Sequence, residues 1–163
     1  MLIGVMADTH DNLPKVRAAL DLFASRGVEA IVHAGDFVAP FALKLVVGAG
    51  LPVVAVLGNN DGEKAGLHKA GADLHAPPHR FRMGGRAVVL AHNPAQLADD
   101  AIAGADLVVY GHTHKHEVRQ GPPLVVNPGE AGGWLTGVAT AAIVDLDAMT
   151  AEIVELGPQE TVC

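Results

Sequence analysis

Apolar residues along this chain come in short runs, and several of the runs stop at a polar cluster. Leu2–Ala7 is one such run and reads as a buried strand. Over Pro14–Arg26 the period changes. Val16, Leu20 and Phe23 recur at helical spacing while Lys15, Arg17 and Asp21 face outward; Pro14 suits a first turn and Gly27 follows the last. Glu29–Ala34 predicts a second strand, Pro40–Val47 a second helix and Pro52–Leu57 a third strand. This β-α-β-α-β order implies parallel strands joined by right-handed crossovers.

The pattern then shifts towards strands. His79–Met83 and Arg86–Ala91 flank Gly84-Gly85, a two-residue hairpin signal. Pro94–Ala103 reads as a helix and Asp106–Tyr110 as a strand. Strands follow at His116–Arg119, Leu124–Val126, Val138–Leu146 and Ala151–Leu156. The late hairpins cannot all extend one parallel sheet. The expected architecture is α/β, a four-layer α-β-β-α sandwich of two mixed sheets with helices outside. No linker or repeat divides residues 1–163, so one domain is expected.

Composition narrows the function. Half the residues are hydrophobic but only six are aromatic, so the core is aliphatic and a base-stacking platform is not expected. Net charge is −7, against non-specific nucleic-acid binding. The longest uncharged run, Leu45–Asn60, is broken by Gly48, Gly50 and Pro52 and falls short of the ~20 residues of a spanning helix. The start Met1–Ala7 has no basic segment of the signal-peptide kind, and the one cysteine is Cys163, so no internal disulfide forms. A cytoplasmic setting without membrane contact is expected.

The chemistry lies in what ends the strands. Successive strands run into Asp8-Thr9-His10, Gly35-Asp36, Gly58-Asn59-Asn60-Asp61, His92 and Gly111-His112-Thr113-His114. Ligand sites of α/β sheets lie beyond the carboxyl ends of strands. Each fragment alone has a plain reading: Asp8 and Asp11 as caps of the helix at Pro14, Asn59–Gly62 as a turn. Together they form an oxygen and imidazole donor set without thiolate, suited to Mn²⁺, Fe²⁺, Zn²⁺, Ni²⁺ or Co²⁺. His112 and His114, two apart, would converge on one side of an extended segment.

In order, Asp8-x-His10, Gly35-Asp36, Gly58-Asn59-x-Asp61, His92 and Gly111-His112-x-His114 resemble the five motif blocks of the calcineurin-like metallophosphoesterase superfamily. The size and Asn127-Pro128-Gly129 resemble its small single-domain phosphodiesterase branch, and the likeness runs from Met1 to about Leu156. The resemblance implies two divalent ions, Mn²⁺ foremost. Asp8, His10, Asp36 and His114 would hold one; Asp36, Asn59, His92 and His112 would hold the other, with Asp36 shared. It implies hydrolysis of small phosphate esters, above all diesters, by attack of a hydroxide bridging the metals. The catalytic positions it marks are Asn60, Asp61 and His92. In many relatives a His stands where this chain has Asn60; an amide donates a hydrogen bond but delivers no proton. Asp61 is expected to orient a ligating His or to contact Asn60.

The other five histidines are expected to be structural or peripheral: His33 as a hydrogen-bonded support, His68, His75 and His79 at the surface or cleft rim, His116 without a role. Arg80, Arg82 and Arg86 read as a solvated sheet edge. Trp134 could be core, dimer contact or substrate wall. The alternative function is a catalytically weak or inactive protein-binding scaffold on the same fold; all seven ligand positions carry competent donors, which favours the enzyme. The metallo-β-lactamase type needs a His-x-His-x-Asp-His block, which is absent. Expected partners are the small phosphate ester and, at most, further copies of the chain in a homo-oligomer.

Overall fold

A computed structural model describes residues 1–157; Cys163 lies outside the described residues. The order is β1 (Leu2–Met6), α1 (Leu13–Ser25), β2 (Ala30–His33), α2 (Pro40–Val47), β3 (Val53–Val56), α3 (Lys64–His68), β4 (Asp73–His75), β5 (His79–Met83) and β6 (Arg86–Leu90). A 3₁₀ turn (Pro94–Gln96) and α4 (Asp99–Ile102) follow, then β7 (Leu107–Val109), β8 (Glu117–Arg119), β9 (Leu124–Asn127), β10 (Thr140–Asp145) and β11 (Thr150–Glu155). Strands β11-β10-β1-β2-β3-β4 form one sheet and β5-β6-β7-β9-β8 the other. Both are mixed. β1 to β4 are parallel with β10 antiparallel beside β1, and the parallel trio β6-β7-β9 is flanked by antiparallel β5 and β8.

Side-chain alternation explains the layering. On β1 to β3, Ile3, Val5, Val32, Val54 and Val56 point towards Val88, Leu90, Leu107, Val109 and Val126 of the other sheet. Met6, Ile31, Val53 and Ala55, on the opposite face, pack with Val16, Phe23, Leu43 and Val46 of α1 and α2. Each fully buried aliphatic side chain contributes about 1.5–3 kcal/mol, so the inter-sheet layer and the layer under α1 and α2 together hold the fold. Gly4 lets α1 lie directly on β1: a Cβ there would sit 2.6 Å from the Phe23 ring. The fourth layer is thin. Leu97 and Ile102 cover Val89, Val108 and Val125 on the outer face of the five-stranded sheet. No helix among the described residues is long and apolar enough to cross a membrane.

The four-layer expectation matches this architecture. Two local readings need correction. The span between the third strand and His79, where the sequence pattern predicts no element, contains α3 and β4, and β4 extends the first sheet beside β3. The helix expected over Pro94–Ala103 is two pieces: Asn93 and Gln96 close a capping box around the 3₁₀ turn, and the backbone leaves helical geometry at Leu97 before α4 begins.

Candidate metal centre

The carboxyl ends of β1, β2 and β3 meet those of β6 and β7 at one rim, and all seven expected ligands lie there. Backbone bonds fasten the first two loops together: Asp8 N–H donates to Gly35 O, His10 N–H to Asp36 O and Asp11 N–H to Phe37 O. Asp8, His10, Asp11, Asp36, Val38, His112 and His114 all have φ between +42° and +82°. Left-handed backbone at non-glycine residues costs on the order of 1 kcal/mol or more each, and is retained where the surroundings over-determine it. Gly58 is required by close approach, since a Cβ there would lie 2.1 Å from Asp36 Oδ1.

Asp8 (0% exposed) and Asp36 (1%) are buried carboxylates in one pocket of charge. Asp36 lies between two imidazoles, its Oδ2 3.7 Å from His10 Nε2 and its Oδ1 3.5 Å from His92 Nε2. Asp8 Oδ1 lies 3.6 Å from His114 Nε2 and 3.9 Å from His10 Nε2. His112 joins through its backbone N–H, which donates to Asp8 Oδ2 at 3.0 Å, and its ring lies 5.1 Å from that of His92. His114 instead neighbours His10, at 5.4 Å between ring centroids. The two histidines of Gly-His-Thr-His therefore do not share one face of an extended segment. They sit in a loop with left-handed backbone, and their rings go to opposite halves of the cluster.

Three observations say that cations fit here. Asp8 Oδ1 and His10 Nε2 are buried without a hydrogen-bond partner. Burial, then the neighbouring Asp36 charge, pushes the Asp8 carboxyl up to about 8, so a second negative charge cannot be held without compensation. The third concerns His92, which burial keeps below its usual pKa against the pull of Asp36. Its Nδ1–H donates to Ala34 O at 2.8 Å, which leaves the lone pair of Nε2 facing Asn59 Oδ1 at 2.8 Å. Two acceptors face to face repel unless a cation takes both. Ligand atoms of Asp8, His10 and His114 lie within 4.8 Å of one another, as do those of Asp8, Asp36 and His92.

Asn60 turns its donors on Asp36, and Asp61 does not make the contacts expected of it. The Asn60 backbone N–H and Nδ2 donate to Asp36 Oδ1 and Oδ2, each at 2.8 Å. The Asp61 carboxylate accepts from the backbone N–H groups of Asp36, Val38 and Gly58 at 2.7–3.1 Å. It clamps the β2 and β3 loops together rather than orienting a histidine or contacting the Asn60 side chain. The Asp8 and Asp11 capping reading also fails: Asn12 caps α1, accepting from Lys15 N–H. His33 is the support expected, accepting from Gly35 N–H at its Nδ1, 3.3 Å from Thr9 Oγ1 at its Nε2, and stacked on Phe37.

Sequence reasoning missed Glu130. Its buried carboxylate accepts from the N–H groups of Trp134, Leu135 and Thr136 and from Thr136 Oγ1. Burial raises its pKa, but the Leu135 and Thr136 amides outweigh that and hold it below the usual value. Glu130 Oε1 also lies 3.4 Å from His114 Nδ1, a charge contact behind the ring without a hydrogen bond. Its signal was its position directly after Asn127-Pro128-Gly129. A second Asp/His group, Asp73, His75 and His79, lies at the sheet edges. There the His75 and His79 rings stack at 3.5 Å and 6°, so their lone pairs run side by side instead of converging.

Comparison with known proteins shows the family and the fold. Residues 1–149 match the family model of the calcineurin-like phosphoesterase superfamily domain. The chain is 35% identical over 156 residues to phosphodiesterase MJ0936 of Methanocaldococcus jannaschii, covering 90% of this chain and 94% of that protein. A solved structure described as a novel archaeal phosphodiesterase superposes with a TM-score of 0.85 at 32% identity, over 96% of this chain and all of that one. The structure of Yfce, a phosphoesterase from E. coli, shares the fold at a TM-score of 0.71 and 23% identity, over 96% of this chain and all of that one. The chain belongs to the calcineurin-like phosphoesterase superfamily, a class of metal-dependent phosphoric ester hydrolases.

Proposed function

We propose that this chain is a single-domain, dinuclear phosphodiesterase of the cytoplasm that hydrolyses small phosphate esters. Asp8, His10, Asp36 and His114 would hold one divalent ion, and Asp36, Asn59, His92 and His112 the other, with Mn²⁺ the foremost candidate. The observation that carries this reading is the Asp36 carboxylate, one oxygen towards His10 and the other towards His92. When bound, the ions supply Lewis-acid polarisation of the phosphoryl group and a water nucleophile active at neutral pH.

The chain's own residues set the stage for that chemistry. Asp61 fixes the two loops that present Asp36 and Asn59, through the amides of Asp36 and Gly58. Asn60 steadies Asp36 with two donors and so shares the work of positioning it. Glu130 places a carboxylate behind His114 while building the loop that carries Trp134. Two carboxylates among seven ligand positions leave net positive charge on the ions, which favours an anionic ester.

The test is metal analysis of the purified protein, followed by chelation and add-back with an activated aryl phosphodiester as substrate. Two equivalents of metal, loss of hydrolysis on chelation and recovery with Mn²⁺ are expected. Full activity in metal-free protein would overturn the proposal.

A further inference from the structure

The large apolar side chains that stand exposed are not scattered. Among the described residues, Val38 lies on the loop after β2, Phe41 in the first turn of α2 that follows it, and Trp134, Leu135 and Val138 on the loop before β10. Trp134 is 65% exposed and Leu135 80%. Exposed apolar groups gathered in one place mark a binding surface. Val38, Trp134 and Leu135 line a cavity of about 370 Å³ together with His10, Asn60 and Glu130. That volume is at the small-molecule end of ligand pockets. Through His10 and Asn60 the cavity opens on the expected metal ligands, so its occupant is attached to whatever the ions hold.

The wall is built rather than incidental. The Trp134 indole N–H donates to His10 O at 3.2 Å, and its backbone N–H to Glu130 Oε1 at 2.8 Å. The buried Glu130 carboxylate takes four donors from residues 134–136 and so fixes the loop. No Lys or Arg lines the cavity, so it offers nothing to a second phosphate. On the other side of the cluster, a cavity of about 280 Å³ beside Asn59 and His92 is lined by Lys64, Asn93 and Gln96. Leu57, Ala76 and Pro77 complete that second cavity, which differs from the first in carrying a cation, Lys64; the first, walled by Trp134, Leu135 and Val38, is the apolar wing of the site.

We propose that the apolar wing is the seat for a planar aromatic group on the substrate, a nucleobase or an aryl ring, packed against Trp134, Leu135 and Val38. This rests on the phosphodiesterase reading and names the substrate class for it. Trp134 and Leu135 are specificity-determining residues: they recognise the organic half of the ester, while the ions take the phosphate. Of the readings open for Trp134 in the sequence, this assigns the substrate wall.

Trp134 is the only tryptophan of the chain, so its fluorescence reports on the wing directly. The experiment uses Zn²⁺-loaded protein at matched occupancy, titrated with inorganic phosphate, ribose 5-phosphate, AMP and phenyl phosphate, with affinities from calorimetry. AMP should quench the tryptophan and bind about tenfold more tightly than ribose 5-phosphate, as base–aromatic stacking provides. Trp134→Ala should erase that gap without changing inorganic phosphate affinity, and Trp134→Phe should keep most of it. Phenyl phosphate matching AMP supports any aromatic ring as occupant; phenyl phosphate matching ribose 5-phosphate supports the nucleobase. Equal binding of AMP and ribose 5-phosphate, or an unchanged gap in Trp134→Ala, overturns the inference and leaves the phosphodiesterase reading standing. So does a dimer in sedimentation whose dissociation changes the tryptophan signal, since the patch then belongs to a second copy. Failure of metal-loaded protein to bind inorganic phosphate overturns the phosphodiesterase reading, and this inference with it.

Discussion

Val5 and Val32 lie in the layer between the sheets, packed with Leu107 and Val126. A few residues further along the same two chain segments stand Asp8 and Asp36, equally buried but charged: Asp36 takes two donors from Asn60, whereas Asp8 Oδ1 has no hydrogen-bond partner. The layer is built from ordinary strand backbone and aliphatic side chains. At the rim are gathered seven of the eight non-glycine residues with positive φ among the described residues. The layer contributes to stability, whereas the rim carries strain and uncompensated charge that packed layers such as this one must outweigh. Substitutions in the two regions should therefore fail differently.

The largest effect belongs to the rim. Asp36→Asn should lower metal occupancy and reduce phosphodiester hydrolysis by more than about 100-fold, the upper end of what loss of a group merely supporting a ligand costs. The control is His116→Ala, exposed and outside the expected ligand set, which should keep both metals and near-normal rates. Metal content by mass spectrometry and rates on one aryl diester decide this; equal behaviour of the two variants would refute the ligand assignment.

A core substitution should show the reverse signature. Leu124 is fully buried in the inter-sheet layer. Leu124→Ala should cost about 2–5 kcal/mol in denaturant unfolding while two metals still bind. Loss of metal without loss of stability would mean that layer and rim are not separable.

The third effect is smaller and has an unusual sign. In metal-free protein Asp8 has its pKa raised from 3.8 to about 8, by burial first and then by Asp36. Between those values the folded state holds a proton that the unfolded chain releases. Asp8's contribution to stability is therefore fully present below about pH 4 and lost as pH rises through about 8. His33, which burial holds well below its usual pKa, acts oppositely as pH falls below about 6.5. The difference between wild type and Asp8→Asn isolates the carboxylate. In chelator, the midpoint of Asp8→Asn should gain on wild type steadily as pH rises from about 4 to about 8. A constant difference would show that Asp8 is not a strained charge.

The smallest effect concerns Asn60. For aryl phosphodiesters, log kcat/KM in the wild type should fall steeply with leaving-group pKa, because no residue at this position delivers a proton. Asn60→His should flatten that slope, by less than the full ~10²–10⁴-fold of general acid catalysis because the two hydrogen bonds to Asp36 are lost. An unchanged slope would mean that position 60 does not face the leaving group.

The sequence made the layered fold and the position of the rim legible, because both follow from periodicity. Val16, Leu20 and Phe23 announce α1, and Gly84-Gly85, both with positive φ, turns the β5–β6 hairpin. α3 and β4 escaped because five and three residues, with Leu67 and Leu74 their buried members, are too short to carry a period. The grouping at the rim followed from motif order, but its internal wiring did not. Asp61 binds backbone amides, which leave no mark on composition, and Glu130 reaches His114 across a loop whose course depends on tertiary contacts. The divergence of His112 and His114 comes from left-handed backbone that no propensity favours at histidine.

The donors are divided between the sheets: Asp8, His10, Asp36 and Asn59 follow strands of the six-stranded sheet, whereas His92, His112 and His114 follow strands of the five-stranded one. Ions held by both groups would rivet the two halves of the sandwich together. Unfolding would then release them, and mass action makes stability a function of free metal. At a concentration 100 times the dissociation constant, each site adds about 2.7 kcal/mol, comparable to a buried leucine. The thermal midpoint of this protein should rise with the logarithm of metal concentration, so that a cell short of metal would lose the folded chain to proteolysis as well as its activity.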